Sequence, residues 1–322
     1  MKTQSSQRFV VASSLVLLTT VLLVPTVGAQ EYSEWSAPVN LGPVVNSNFD
    51  EQHMGISKDG RSLYFGSNRP GGCGGIDIWV SGRESTSEPW GEPQNLGCTV
   101  NSRADDFGSN LAGNDHFMYF NSNRNVPGAC GLLDLYVTRR RNKRDDSGWQ
   151  TPVNLGCQIN TSTRESGASF FEDDETGEIT LYFNAQPNAL GLPGGTGLLD
   201  VYVSTLGPDE TFGPGVPVSE LNTPFGDTRT AIRQDGLEIF FASTRPGGSG
   251  GFDLYTSTRA STTDPWSEPV NLGPVINSSA ADEAPSLSFH GTELYFFSTR
   301  GGGFGLRDLY VITRTKLTGP QP

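Results

Sequence analysis

An asparagine followed five residues later by an acid occurs five times in the chain: Asn46/Glu51, Asn101/Asp106, Asn160/Glu165, Asn222/Asp227 and Asn277/Asp282. Carboxylates in such a set can act as acids and bases, hold a hard cation, or pair with arginine. Glycoside hydrolysis needs two carboxyls in distinct environments, whereas Ca²⁺ takes several oxygen ligands at once. Glu283 adds a sixth acid beside Asp282. Two residues past each acid stand His53, Gly108, Gly167, Arg229 and Ala284. Strand alternation puts these on the acids' own face, where the small residues leave space and His53 and Arg229 project. Imidazole, guanidinium and carboxylate together suit an anionic or sugar ligand. Against catalysis, the acids are near-equivalent by repetition, and an acid and a base need environments that differ. Arg69, Arg124, Arg245 and Arg300 offer four units an internal counter-charge, while the third has Ala185-Gln186 instead.

These residues ride on a repeated element. Trp35–Gly42 returns as Trp90–Gly97, Trp149–Gly156 and Trp266–Gly273, with a degenerate copy from Phe212 to Leu221. Leu63-Tyr-Phe65 and Asp77-Ile-Trp-Val80 each return in all five units, at spacings of 53 to 66 residues. Each unit reads as four short antiparallel strands: A from the acid (Glu51–Ser57), B (Ser62–Ser67), C (Asp77–Ser81) and D near Pro93–Gly97. Such repeats form the blades of a five-bladed β-propeller. The chain opens with a strand-D unit and closes with strands A to C, so both ends complete one blade and hide an edge. In this arrangement the five acids ring the channel mouth. At about 8 Å and an effective dielectric near 20, neighbouring charges would repel by roughly 2 kcal/mol. Either the arginines or a bound Ca²⁺ at Glu51, Asp106, Glu165, Asp227 and Asp282 would offset that.

The run Leu63-Tyr-Phe-Gly-Ser-Asn-Arg-Pro-Gly-Gly with Asp77-Ile-Trp-Val80 resembles the WD40-like repeat of the TolB type, also called PD40. The resemblance covers all five units. It implies a propeller, usually periplasmic or secreted and often used for protein or ligand contact, and it implies no substrate. TolB-like propellers commonly have six blades against the five counted here.

Four cysteines test the register. Cys73 and Cys130 lie in B–C loops, four residues before the strand-C Asp, and Cys98 and Cys157 directly follow the Leu-Gly that ends strand D. Both locations fall at one end of a blade, which predicts Cys73–Cys98 and Cys130–Cys157. Residues 1–29 read as a signal peptide: Lys2 and Arg8 precede an apolar run, with Val27 and Ala29 supplying a cut near Ala29. That run is too short and too Ser/Thr-broken to span a membrane. Its loss takes the net charge from −13 to −15, which disfavours nucleic-acid and anionic-membrane partners. Blade 3 extends its B–C loop from Gln186 to Gly197 on the upper face. The acidic Glu172–Glu175 turn and the basic Arg139–Arg144 run fall on the lower face as solvated turns, with His116 and His290 beside them. Asn160-Thr-Ser and Asn277-Ser-Ser match glycosylation acceptors.

No nucleophile elbow, His-Glu-x-x-His or phosphate loop is present. The sequence therefore reads as a secreted or periplasmic, monomeric, non-catalytic module that binds a protein or carbohydrate through its upper loops and channel mouth. Two other readings stand beside it: a carbohydrate-active hydrolase or lyase using channel acids, and a structural envelope protein.

Overall fold

The computed structural model describes residues 30–186 and 198–317; the segment 1–29 read as a signal peptide and most of the blade-3 loop lie outside the described residues. β-Branched and aromatic residues in runs of about six, cut by Gly-rich turns, give twenty strands and no helix among them. After β1 (Val39–Asn40) come four sets of four: β2 to β5 (Glu51–Ile56, Ser62–Ser67, Asp77–Gly82, Gln94–Asn95), β6 to β9 (Asp106–Leu111, Phe117–Ser122, Asp134–Arg139, Val153–Asn154), β10 to β13 (Glu165–Glu172, Ile179–Ala185, Asp200–Thr205, Val216–Pro217) and β14 to β17 (Asp227–Ile232, Glu238–Ser243, Asp253–Thr258, Val270–Asn271). β18 to β20 (Asp282–Leu287, Glu293–Ser298, Asp308–Thr313) end the chain. Each set forms one antiparallel sheet, and β1 pairs with β20 to complete the fifth. The five-bladed, end-closed propeller is thus present as read.

The core is divided rather than central. Five apolar clusters each join two neighbouring blades, such as Met54, Phe65 and Trp79 of blade 1 with Tyr295, Phe297 and Leu309 of blade 5. Blades are also bonded by backbone at the top, where the N–H of each repeat acid donates to the carbonyl of the residue before the preceding blade's strand C, as in Asp106 to Ile76 (2.7 Å) and Asp227 to Leu199 (2.8 Å).

Every inner strand carries the same defect. Pairing of β2 with β3 skips between Gln52 and Gly55, and the four other inner strands skip at the matching place. The third residue of each turns to positive φ: His53 (46°), Gly108 (74°), Gly167 (66°), Arg229 (56°) and Ala284 (57°). This is a glycine-type β-bulge, and a non-glycine residue there costs about 1–2 kcal/mol. Simple alternation therefore fails at these five positions, and they do not share the acids' face.

Candidate functional site

The five repeat acids begin the inner strands, and all are fully buried within their own blades. Each carboxylate accepts from the backbone N–H and hydroxyl four residues earlier, as Glu51 does from Ser47 (2.8 and 2.6 Å) and Asp227 from Thr223 (2.6 and 2.6 Å). In four blades a serine ending strand B and the following arginine complete the shell. Arg69 reaches Glu51 at 3.0 Å and Arg245 reaches Asp227 at 2.7 Å, with Arg124–Asp106 and Arg300–Asp282 in the same arrangement. Each of these guanidiniums also donates to a D–A loop carbonyl and lies over the blade's aromatic pair. The motif's asparagine pins the same loop to the preceding blade, as Asn101 does through both backbone groups of Ile78 (2.8 and 3.0 Å).

A Ca²⁺ ion shared by the five acids would need them to converge on one point. Among the described residues no three His, Cys, Asp or Glu side chains gather as metal ligands. Glu51, Asp106, Asp227 and Asp282 are turned into their blades and spent on arginine. Among the described residues no arginine reaches Glu165, and burial pushes its carboxyl up to about 7, opposed by the Thr161 hydrogen bonds.

What the structure does bring together along the channel is His53 and Arg229, with Glu283 close enough to Arg229 to act on its charge. His53 is buried between Phe107 (5.2 Å between centroids) and Phe297 (5.1 Å), and neither ring nitrogen has a hydrogen-bond partner. Burial, then Arg229 and Arg307, hold its pKa well below the usual imidazole value. Arg229 reaches from blade 4 toward Phe107 of blade 2 (5.7 Å), and its Nη1 is unpartnered. Burial lowers that guanidinium to about 10, with Glu283 opposing, so it remains a cation at neutral pH. The Glu283 carboxyl is raised by burial, with Arg229 and Arg307 pulling the other way. Arg307 binds Asp50 (2.7 Å) and Gln52 (3.1 Å) beside them, and burial raises the Asp50 carboxyl too.

All five inner strands line the cavity at this level, including His53, Gly108, Gly167, Arg229 and Pro285. Its volume is about 20 Å³, room for a water molecule and no more. A sugar ring could sit only above it. Around the mouth stand Leu132, Leu198 and Leu306, which are 63%, 78% and 77% exposed. Each lies one residue before a carbonyl-bearing residue that docks on the next inner strand.

Both cysteine pairs close as read, Cys73–Cys98 and Cys130–Cys157, with Cα separations of 5.7 and 5.5 Å. The glycosylation reading fails, because Asn160 and Asn277 are buried with their amides spent on strand-C backbone. Arg140 is no solvated turn residue either: it is buried over Trp149 (4.4 Å) and bonded to Asp115, Tyr64 and Asp146. Asp173 of the acidic turn is likewise buried, accepting from Glu175 and Thr176. Arg83, Arg259 and Arg314 repeat the arginine-on-tryptophan stack at 4.2 to 4.4 Å over Trp90, Trp266 and Trp35. Sequence reasoning passed over this lock, although all four arginines lie six residues past the strand-C Asp.

No protein-family model matches the chain, and no curated protein matches it. Solved structures do. An α-L-arabinofuranosidase from Lactobacillus brevis is 14% identical, with a TM-score of 0.55 over 86% of this chain and 93% of that one. The catalytic domain of a Coprinopsis cinerea GH62 α-L-arabinofuranosidase is 12% identical, with a TM-score of 0.57 over 88% and 97%. A putative TolB from Agrobacterium tumefaciens is 14% identical, with a TM-score of 0.48 over 90% and 86%. The likeness is one of fold. At such identity it carries no activity to this chain.

Proposed function

We propose that the protein is an exported, non-catalytic recognition module whose upper loops and channel mouth bind a polar ligand, a carbohydrate or a protein segment. The observation that supports this most is the fate of the repeat carboxylates. Four of five are consumed by arginine, whereas His53 and Arg229 keep unpartnered polar atoms beside a cavity too small to enclose a substrate, with Glu283 acting on Arg229. The leucines around the mouth add apolar surface to a polar centre, the composition of a binding site. Two disulfides suit the oxidising compartment that export implies. Binding would be measured by calorimetry across a panel of oligosaccharides and polysaccharides. Arg229→Ala should weaken any ligand found by tenfold or more, with no product released from it. A ligand held equally by the variant would remove the channel mouth from the account.

One observation favours a second reading, a glycoside hydrolase acting on arabinofuranosyl groups. Glu283 and Asp50 are carboxyls at the start of inner strands raised by burial, as a general acid requires, on a fold shared with arabinofuranosidases. Release of arabinose from arabinan or arabinoxylan, lost in Glu283→Gln, would establish it.

A further inference from the structure

The small cavity between the inner strands is walled on its polar side by hydrogen-bond donors. Four of its lining residues carry polar side chains, His53, Asn110, Arg229 and Thr230, and none is a carboxylate. Three of these hold a buried polar atom that no described residue bonds: both ring nitrogens of His53, Nη1 of Arg229 and the hydroxyl of Thr230. His53 is 7% exposed and Thr230 4%, so bulk water does not supply the missing partners. Asn110 accepts from the Phe170 N–H (3.4 Å) through its carbonyl oxygen, and its NH2 is a further donor. Gly108 and Gly167 keep the opposite wall open, and the stem of Arg229 crosses Gly167, where a Cβ would stand 3.0 Å from its Cδ.

The charge at this space is positive, although the chain as a whole is acidic. The charges that act on His53 are those of Arg229 and Arg307. Arg307 is engaged by Asp50 and Gln52, while Glu283 acts on Arg229 without lining the cavity. A buried guanidinium N–H with neither acceptor nor counter-ion in contact is costly. A water molecule would answer the hydrogen bond and leave the charge, whereas an anion answers both. The volume of about 20 Å³ admits one body of about a water's size, which excludes carboxylates, phosphate and sulfate and leaves a single-atom anion. We propose that the channel cavity is a halide site, taking chloride, in which Arg229 Nη1, a His53 ring N–H and the Thr230 hydroxyl donate to one ion. The proposal deepens the recognition reading and rests on it for the ion's role: chloride there fixes the Arg229 guanidinium beneath the channel mouth.

The test is the chloride NMR linewidth of the full chain in sodium chloride, with no sugar or peptide present, together with anomalous scattering from crystals grown in sodium bromide. The wild-type chain should broaden the chloride line saturably, and bromide should reverse the broadening while sulfate at equal ionic strength should not. Bromide should give an anomalous peak among His53, Arg229 and Thr230. Arg229→Gln should weaken chloride by about tenfold or more, since it removes the cation and a donor. Thr230→Val keeps the shape of the strand and the guanidinium, and loses one donor to the ion, so a drop of roughly threefold to tenfold is expected. No saturable broadening by the wild-type chain, displacement by sulfate as readily as by bromide, no anomalous peak in the cavity, or an affinity unchanged in both variants would overturn the proposal. A ligand screen that finds nothing leaves a measured halide site standing, and a failed halide titration leaves Arg229 open to a larger ligand, so the two readings fall separately.

Discussion

Ionisable side chains inside this protein divide by whether a partner has been provided. Glu51 has Arg69, Ser67, Ser47 and a backbone N–H, so Glu51→Gln leaves a largely buried guanidinium without its counter-charge. Loss of one member of such a pair costs about 3–5 kcal/mol when nothing compensates, and an amide that keeps some hydrogen bonds should bring this to about 1–3 kcal/mol in urea unfolding. Glu165→Gln should behave differently. With a folded pKa raised to about 7, wild-type Glu165 contributes stability that is fully present below its unfolded value near 4.5 and is lost as pH rises through 7. The amide variant should therefore gain on wild type across that window and be neutral or more stable at pH 8. His53 acts with the opposite sign. Its folded pKa is depressed, so the unfolded chain takes up a proton below about 6.5 that the native state refuses, and stability falls as pH drops through that value. His53→Asn, which tolerates positive φ, should flatten that acid limb; an unchanged limb would show that the imidazole is not held neutral.

At the scale of the element, the inner-strand bulge decides what each strand can carry. Gly167 has φ of +66°, and a Cβ there would come within 2.5 Å of Asn184 Oδ1 and 3.0 Å of the Arg229 Cδ. Gly167→Ala should thus destabilise by about 2 kcal/mol or more and displace Arg229, weakening ligand binding in the same variant. The two disulfides close separations of 25 and 27 residues between B–C loops and strand-D ends. Replacing one pair with alanines should cost roughly 3 kcal/mol in the chain-entropy model, measurable as a lower urea midpoint. Strands B and C were legible in the sequence because aromatic and aliphatic triplets such as Leu63-Tyr-Phe65 recur in register. Cysteine pairing was legible for the same reason, since equivalent loop positions must meet. The bulge was not, because His53, Arg229 and Ala284 hide a position at which only Gly108 and Gly167 advertise positive φ. The arginine-on-tryptophan lock left a constant spacing past Asp77, Asp134, Asp253 and Asp308. That signal was readable, but blade 3 breaks it with Leu206, which pairs with Phe212 in place of the arginine and tryptophan.

For the whole molecule, radial repetition explains both the stability and the difficulty of assigning function. Five interblade clusters depend on the ring being closed, and closure rests on β1 joining β20 through Val39–Val311 and Asn40–Tyr310. A chain lacking residues 30–42 would bare the β20 edge and should lose cooperative unfolding or aggregate. Repetition made the fold legible, and it also made the repeat acids look like a site. Five near-identical carboxylates are what a scaffold needs five times over, whereas the axial cluster draws on residues that differ between blades. Unfolding free energy and ligand binding measured together on Glu51→Gln, Asp106→Asn, Asp227→Asn and Asp282→Asn test this most directly. Each variant should lose about 1–3 kcal/mol of stability while binding its ligand, below its melting temperature, as the wild type does. Variants that keep full stability but lose binding or turnover would place these acids in the functional site and contradict the account.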